Sequence, residues 1–595
     1  MIAVLWHLHQ PEYRDPTTGI PAMPWTRLHA LRGYRDLLVE SIETGVPWTL
    51  NIVPGLWEQL LYYAEGGTDA HLELTRRTAE SLTDAEIDTI ARTFPCGHPV
   101  MRDTPRYREI EDVIATGRRL DLPMVRDLQV LSTLVWTGST ARRDHPVLAA
   151  LIAKGRDFDD ADRQALLDAQ DRMLAELPEL LERFGATQGP ALSTTPLHHP
   201  ILPLLVNVRH AGRSVANPPD VDFAWPDDAR LQLERGREAM TGWAGRAPLG
   251  CWPSEGSVSP ETVALVGQAG FRWLATDDGV LARSRVTRLR PGGGGWDLGH
   301  GVIGFFRDHG LSDRIGFEYA RWDATTAVRD LVTQASKTPG LTVIALDGEN
   351  PWEAFPDAGR AFRAVLVRAL MDLGITLDEA SQAPPVGRVD ALHSGSWIGA
   401  NFDIWAGSPD DHRAWAMLAR VRAAVERAQT GREAAMEHLL AAEGSDWFWW
   451  YGPEFDTPFA AQFDAAFRGF VAAAWEAIGE PVPDDVKRPI AASRARVTPP
   501  DRPISPAGEA LVQWLGAGQW ALSQGSMARA GGAVVRFGWD PAGTLWLRLP
   551  SGVEDVRVNG TRVEVAPVVQ VDAKPGALVS IDGQVAHLGG PDWVV

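Results

Sequence analysis

The chain has 595 residues with 57 basic and 77 acidic side chains, a formal charge of −20. That surplus repels phosphate backbones and anionic lipid, which excludes nucleic acid and membrane surfaces as partners and leaves a neutral or cationic ligand. The length allows several domains or one large barrel with appendages, and 45% hydrophobic with 23% charged residues is the composition of an ordinary globular protein.

The N-terminal "MIAVLWHLHQPEYRD" has no basic stretch ahead of its apolar run, which stops at His7, so it reads as a strand rather than a secretion signal. No apolar run is long enough to cross a membrane. The two cysteines, Cys96 and Cys251, fall in no metal-binding spacing and read as buried thiols of a reducing compartment. A cytoplasmic location is therefore expected.

Six more β-type runs follow the first one (2–9): "WTLNIVP" (48–54), "PALSTTP" (190–196), "PLGCWPSE" (248–255), "FRWLATDD" (271–278), "GVIGFFRD" (301–308) and "LTVIALDGE" (341–349). Helical patterns such as "ETVALVGQAG" and "TTAVRDLVTQAS" lie between most of them. Continuous apolar strands alternating with helices predict a parallel sheet covered by helices, and seven such units in this order predict a (β/α)7 barrel. A helical insertion is expected at about 60–187, between the second and third strands. The expected layout is a catalytic barrel over 1–405, a helical region over 406–500 that completes the groove, and a small β-sandwich-like domain over 505–595. A proline-rich link, "VTPPDRPISP" (497–506), separates the last two, and "VNGT" inside the last is a hairpin signal. No GxGxxG follows the first strand, and "PGGGG" (291–295) lacks the Lys-Ser/Thr of a phosphate loop, so it reads as a flexible connector. No cofactor is expected.

In parallel barrels the reactive groups sit at the C-terminal ends of the strands. Those ends carry His7 and His9, Asn51, Thr194 and Thr195, Glu255, Asp277 and Asp278, Arg307 and Asp308, and Asp347 and Glu349. Two carboxylates on different strands are what glycosidic cleavage needs, one to attack the anomeric carbon or direct water and one to protonate the leaving oxygen. Glu255 and Asp347 form the candidate pair. A lone acid at either place would read as a solvated or helix-capping group; the joint pattern at strand ends favours chemistry. Twenty-four tryptophans against seven tyrosines fit either a packed core or a groove where sugar C–H faces stack on indoles. Trp405, Trp415, Trp447, Trp449 and Trp450 cluster after the barrel and are divided between those two uses.

The segments "HLHQPEY", "STTPLHHPILPLL", "CWPSEGSVSP", "GFRWLATDD", "FFRDHGLSDRIGF", "LDGENPWE", "HSGSWIGANFDIWAG" and "EGSDWFWWYG", in order over residues 1–460, resemble glycoside hydrolase family 57, closest to its amylopullulanase-like members. The resemblance implies a retaining enzyme on a (β/α)7 barrel with Glu255 as nucleophile and Asp347 as general acid/base. It implies an α-glucan or maltooligosaccharide substrate, cleaved at α-1,4 and possibly α-1,6 bonds; a 4-α-glucanotransferase or branching-type transglycosylase is the alternative on the same scaffold. His7, His9, Glu349 and Trp352 fall on sugar-contacting positions of its motifs, and His199, Trp252, Trp397 and Asn401 on positions expected around the groove. Asp277, Arg307, Asp308 and Trp405 complete the expected binding set. "LHHP" departs from the family, where an aromatic commonly precedes His-Pro, which puts the role of His198 in question. Two other classes remain open: a divalent-metal deacetylase, because His7 and His9 point the same way along a strand, and a non-catalytic glucan-binding protein, which would not need both carboxylates.

Overall fold

The computed structural model describes residues 1–115, 118–452, 457 and 459–490, and beyond them 497–498, 514, 517–521, 534–540, 544–549, 553, 555–571, 577–581 and 584–588. Its centre is a ten-stranded sheet. In chain order the strands are β1 (Ile2–Leu8), β2 (Thr49–Ile52), β3 (Ala191–Thr194), β4 (Gly250–Cys251), β5 (Trp273–Asp277), β6 (Arg285–Arg288), β7 (Trp296–Asp297), β8 (Ile303–Arg307), β9 (Thr342–Asp347) and β10 (Gly387–Ala391). The order β9–β1–β2–β3–β4–β5–β8 is parallel throughout. The ring closes where the Asp308 amide donates to Val343 O (2.7 Å) and Arg307 Nη1 to Ala345 O (3.0 Å). These seven strands are the seven predicted runs, and they make the (β/α)7 barrel.

Period-two alternation decides what each strand presents. On β1, Ile2, Val4, Trp6 and Leu8 face the surrounding helices, while Ala3 and Leu5 face the barrel interior. On β9, Ile344 and Leu346 point out, Val343 and Ala345 in. Both faces are buried, hence the uninterrupted apolar runs. Small inward residues (Ala3, Ala275, Ala345) leave room for Trp252, Trp273, Phe305 and Trp397, which fill the barrel. Gly250 is required by that filling, because a Cβ there would lie 1.9 Å from the Trp273 ring.

Three strands were not anticipated. β6 pairs antiparallel with β10, β10 parallel with β7, and β7 antiparallel with β8. They wedge between β8 and β9 at the foot of the barrel, where the Leu341 amide donates to Gly293 O (3.1 Å). The glycine run 292–295 is therefore a packed seam and not the flexible connector expected. A Cβ on Gly293 would sit 2.0 Å from Leu341 O, and one on Gly295 2.4 Å from the Ile303 side chain. Glycine is what lets these backbones approach.

Between β2 and β3 the chain is helical, including Pro54–Ala64, Asp84–Thr93, Leu122–Leu134, Asp160–Ala175 and Leu177–Ala186. Reciprocal capping boxes start two of them, Thr83 with Glu86 and Asp159 with Asp162. Helices Pro409–Arg427, Arg432–Ala442 and Ala460–Ala477 follow the barrel and share a core with the segments after β3 and β4. No helix among the described residues is long and apolar enough to cross a membrane. Cys96 and Cys251 are buried and unpaired.

Beyond residue 490 two antiparallel sheets share one core, with Val535, Phe537 and Leu547 from one and Val556, Val579 and Ile581 from the other. Asn559 and Gly560 turn between paired Val558 and Thr561 with φ of +49° and +81°, the two positive values a type I′ hairpin demands. Of the proline-rich link, residues 499–506 lie outside the described residues.

Candidate active site

The inward register that carries Ala3 and Leu5 on β1 brings His7 next, at the top of the barrel. Its paired neighbours are Asn51 on β2 and Asp347 on β9, and Asn51 in turn pairs with Ser193 on β3. Asn51 Nδ2 donates to Ser193 Oγ (3.0 Å), so its Oδ1 accepts from His7 Nδ1–H (2.7 Å). This fixes the His7 tautomer and leaves Nε2 as an acceptor. Burial, then the neighbouring His9, pushes the His7 imidazole down to about 3, so it is neutral at physiological pH.

His9 stacks on His199 (ring centroids 3.8 Å, 25° between planes), and His7 lies 5.0 Å from His199. His9 Nε2 pairs with Asp446 at 2.8 Å, and His199 Nδ1 with Ser445 Oγ at 3.0 Å. Asp446 and Ser445 were not among the expected site residues. Their signal was present, since Asp446 is the one acid in the aromatic run "SDWFWW". His9, His199 and Asp446 bring three potential ligand atoms within 4.8 Å of one another. Two of the three are already engaged, His9 Nε2 with Asp446 and His199 Nδ1 with Ser445. Asp277, Asp278 and His309 form a similar group, but there the Arg307 guanidinium already holds Asp277 (2.8 Å).

Glu255 follows the two-residue strand β4 in a left-handed conformation, φ +56° and ψ +25°. That conformation costs a non-glycine residue on the order of 1 kcal/mol. It is held by the amides of Gly256 on Pro253 O (2.7 Å), Ser257 on Ser254 O (2.9 Å) and Trp397 on Glu255 O (3.0 Å). His199, with φ +58°, is a second left-handed residue in the same place. The strain turns the Glu255 carboxyl into the mouth. There Oε2 accepts from Trp397 Nε1–H (2.8 Å), and Oε1 lies 3.8 Å from His199 Nδ1.

Acid crowds the mouth, with Glu255 and Glu349 buried and Asp347 and Asp446 half-buried. Burial, then the charges of Asp446 and Asp347, pushes Glu255 up to about 8, against donation from Trp397 and Ser445. Burial also raises Asp347, opposed by Asn350, whose Nδ2 donates to Oδ2 (3.0 Å), and by His9 and Arg307. Burial and the Asp347 charge hold Glu349 well above the usual carboxylate range. His9 Nδ1, His199 Nε2 and Glu349 Oε2 are buried without a hydrogen-bond partner among the described residues. A hydroxyl-rich ligand would satisfy them, and buried polar atoms left unpaired are costly.

The remaining expected residues divide. Trp397 and Trp252 meet edge to face under Glu255 (5.3 Å, 73°), and Trp252 is fully buried as the floor. Arg307 and Asp277 form an ion pair beside them. Asp308 accepts from the Leu311 amide (2.9 Å) and caps the following helix. Three residues do not join the site. Trp352 is fully buried among Trp6 and Phe355, its Nε1–H on Gly348 O (2.8 Å) and its face under Arg363 (4.7 Å). Trp405 is fully buried against Trp449. Asn401 is engaged with Asp403, accepting its amide (3.1 Å) and donating to its carboxylate (2.8 Å). His198, the departure from "aromatic-His-Pro", donates through its backbone to Gln232 Oε1 (2.9 Å), and burial pushes its imidazole down to about 3. It supports the loop that carries His199.

Among known proteins, the sequence model of glycosyl hydrolase family 57 matches residues 3–389. No curated protein sequence matches the chain. Of solved structures, a GH57 branching enzyme from Thermococcus kodakaraensis in complex with glucose is similar, with TM-score 0.51 and 14% identity over 80% of this chain and 89% of that one. The α-amylase AmyC from Thermotoga maritima gives TM-score 0.47 and 12% identity over 82% and 95%. A 4-α-glucanotransferase from Thermococcus litoralis gives 0.43 and 13% over 90% and 64%. At these identities the first likeness speaks for the fold alone.

Proposed function

The chain belongs to glycosyl hydrolase family 57, and on that premise we propose that it is a retaining α-glucan hydrolase of amylopullulanase type with Glu255 as nucleophile and Asp347 as general acid/base. The observation that carries the reading is the pair itself. Two carboxyls from β-strand ends far apart in sequence, Glu255 buried and Asp347 half-buried, share one barrel mouth, each raised by desolvation, with an indole N–H on Glu255 alone.

The chemistry follows from that asymmetry. Glu255 attacks the anomeric carbon as Asp347 gives its proton to the leaving glycosidic oxygen, leaving a glucosyl ester on Glu255 and an ionised Asp347. Asp347 then takes a proton from water, whose oxygen displaces the ester and restores both groups. The attacking form needs an ionised Glu255 beside a protonated Asp347. The two requirements agree, because a proton on Asp347 removes one of the charges that raise Glu255. His7, His9, His199 and Glu349 hold the hydroxyls of the sugar being cleaved. A second sugar can replace water on the ester, so transfer products appear at high oligosaccharide concentration. The substrates are α-1,4-linked glucans, with α-1,6 branch points as the second linkage. Two unpaired buried thiols suit cytoplasmic work on such glucans.

NMR of the first-formed anomer on maltooligosaccharides and pullulan tests this reading. An α-anomer is expected, with sugar trapped on Glu255; a β-anomer overturns the double displacement.

A further inference from the structure

An arginine at the mouth of a sugar-binding barrel is expected to hold hydroxyls. Arg307 is turned to a different use. Its Nε–H donates to Asp277 Oδ2 (2.8 Å) and Nη1 to Ala345 O (3.0 Å), while Nη2 lies between His309 Nδ1 (3.0 Å) and Asp313 Oδ1 (3.6 Å). The side chain is only 5% exposed. Its guanidinium carbon lies over the Trp397 ring, 4.8 Å from the centroid.

Trp397 is pinned on every other side. Its backbone amide donates to Glu255 O (3.0 Å), its Nε1–H to Glu255 Oε2 (2.8 Å), and its ring meets the edge of Trp252 at 5.3 Å. A cation over an indole draws electron density from the ring, which strengthens its N–H as a donor. Resting on the reading of Glu255 as nucleophile, we infer that Arg307 is a positioning residue: it clamps the Trp397 indole so that one N–H stays aimed at the attacking carboxylate. Asp277 orients the clamp. His309, held charged up to about 10 by Asp277 and Asp313, closes its outer side.

Three other elements face Glu255 with four side chains, and they set the comparison. His199 comes from the loop after β3, Asp347 from β9, and Ser445 and Asp446 from the helix Ser445–Trp449. None of these touches Arg307's face of the indole in the contacts above. Arg307 also reaches Glu255 by its charge, through Asp347, but a substitution that keeps the cation leaves that route in place, so its effect on Glu255 runs through Trp397.

The test is a coupling experiment on a 4-nitrophenyl maltooligoside, reading kcat/KM across pH. Trp397→Phe keeps the ring and deletes the donor. It should cost about tenfold to a hundredfold, the range for a hydrogen bond to a charged group, and move the acidic limb to higher pH, because the ionised Glu255 loses support. Arg307→Lys keeps a cation for Asp277 and should cost about threefold to thirtyfold with a limb shift in the same direction. The double variant should be no worse than Trp397→Phe within about twofold. Should Arg307→Lys unfold early in a melt, Asp277→Asn releases the guanidinium without removing it and should move the limb the same way. Multiplying losses in the double variant, or an unmoved limb in Arg307→Lys and Asp277→Asn, overturns the inference while leaving Glu255 as nucleophile. Near-normal turnover in Glu255→Gln overturns the assignment of the nucleophile instead.

Discussion

Replacing Glu255 by Gln should make the protein more stable, and only above acid pH. The carboxyl rests near 4.5 in an unfolded chain and is pushed up to about 8 in the folded one, chiefly by burial. The folded state therefore keeps a proton that the unfolded state releases, and stability falls as pH rises from 4.5 toward 8. Each factor of ten in proton affinity is worth about 1.4 kcal/mol, so the wild type gives up about 3 kcal/mol at pH 7 and about 4–5 kcal/mol above pH 8. Gln has no such titration, keeps an oxygen for Trp397 Nε1–H, and meets the same backbone strain. At roughly 2.1 cal/mol/K per residue of unfolding entropy, a chain of 595 residues should gain about 2–3 °C in melting temperature at pH 7. At pH 4 the two proteins should melt together. Paired calorimetric scans from pH 4 to 9 make the comparison, and the pH-dependent difference reads Glu255 together with its charge coupling to Asp446 and Asp347. A constant difference, or one that grows toward acid, refutes the reasoning. The gain is the stability an active site forgoes to hold a carboxyl in a dry mouth.

Asp347→Asn should lower kcat/KM on polymeric α-glucans by about 10²–10⁴-fold and on glucosyl fluorides far less, because kcat/KM reads the ester-forming step and fluoride leaves without a proton, while loss of the base slows ester hydrolysis for both; equal losses in kcat/KM would remove Asp347 from the acid role. Asp446→Asn deletes one of the charges that raise Glu255, so the acidic limb of the kcat/KM profile should move to lower pH. A limb that stays in place would leave Asp446 as a hydrogen-bonding partner of His9 and nothing more.

The barrel strands were legible because they are buried on both faces and so stand out as apolar runs, and because their inward ends carry groups no core would choose. His7, Asn51, Ser193 and Asp347 share one register across four strands, which a reading by period two recovers from each strand alone. Glu255 was legible for the opposite reason: an apolar run that breaks at Pro253 into an acid. β6, β7 and β10 carried no such signal. β6 is exposed at every residue, β7 has two residues, and their pairing depends on glycines whose purpose appears only when Leu341 and Ile303 are seen against them. Composition could not say which of those glycines were connectors. Asp446 was hidden by distance, since its partner His9 lies 437 residues away.

The tryptophans show where composition stops being informative. At least twelve of the 24 are fully buried, among them Trp6, Trp48, Trp352 and Trp405, so the excess is first a matter of filling volume. By sequence Trp352, three residues past the motif acid Glu349, has the same standing as Trp397. What separates them is the small inward residues of the barrel. Ala3, Ala275 and Ala345 leave a central space that Trp252, Trp273 and Trp397 occupy, whereas Trp352 packs on the outer face beside Trp6 and Phe362. Trp397 has its carbon skeleton in the core and its one polar atom at the mouth, on Glu255, whereas Trp273 turns its own to Asp378. Filling the barrel with Trp397 thus puts a fixed N–H beside Glu255 without a buried unpaired donor, which Phe or Leu of similar bulk could not do. At this position packing and catalysis ask for the same side chain.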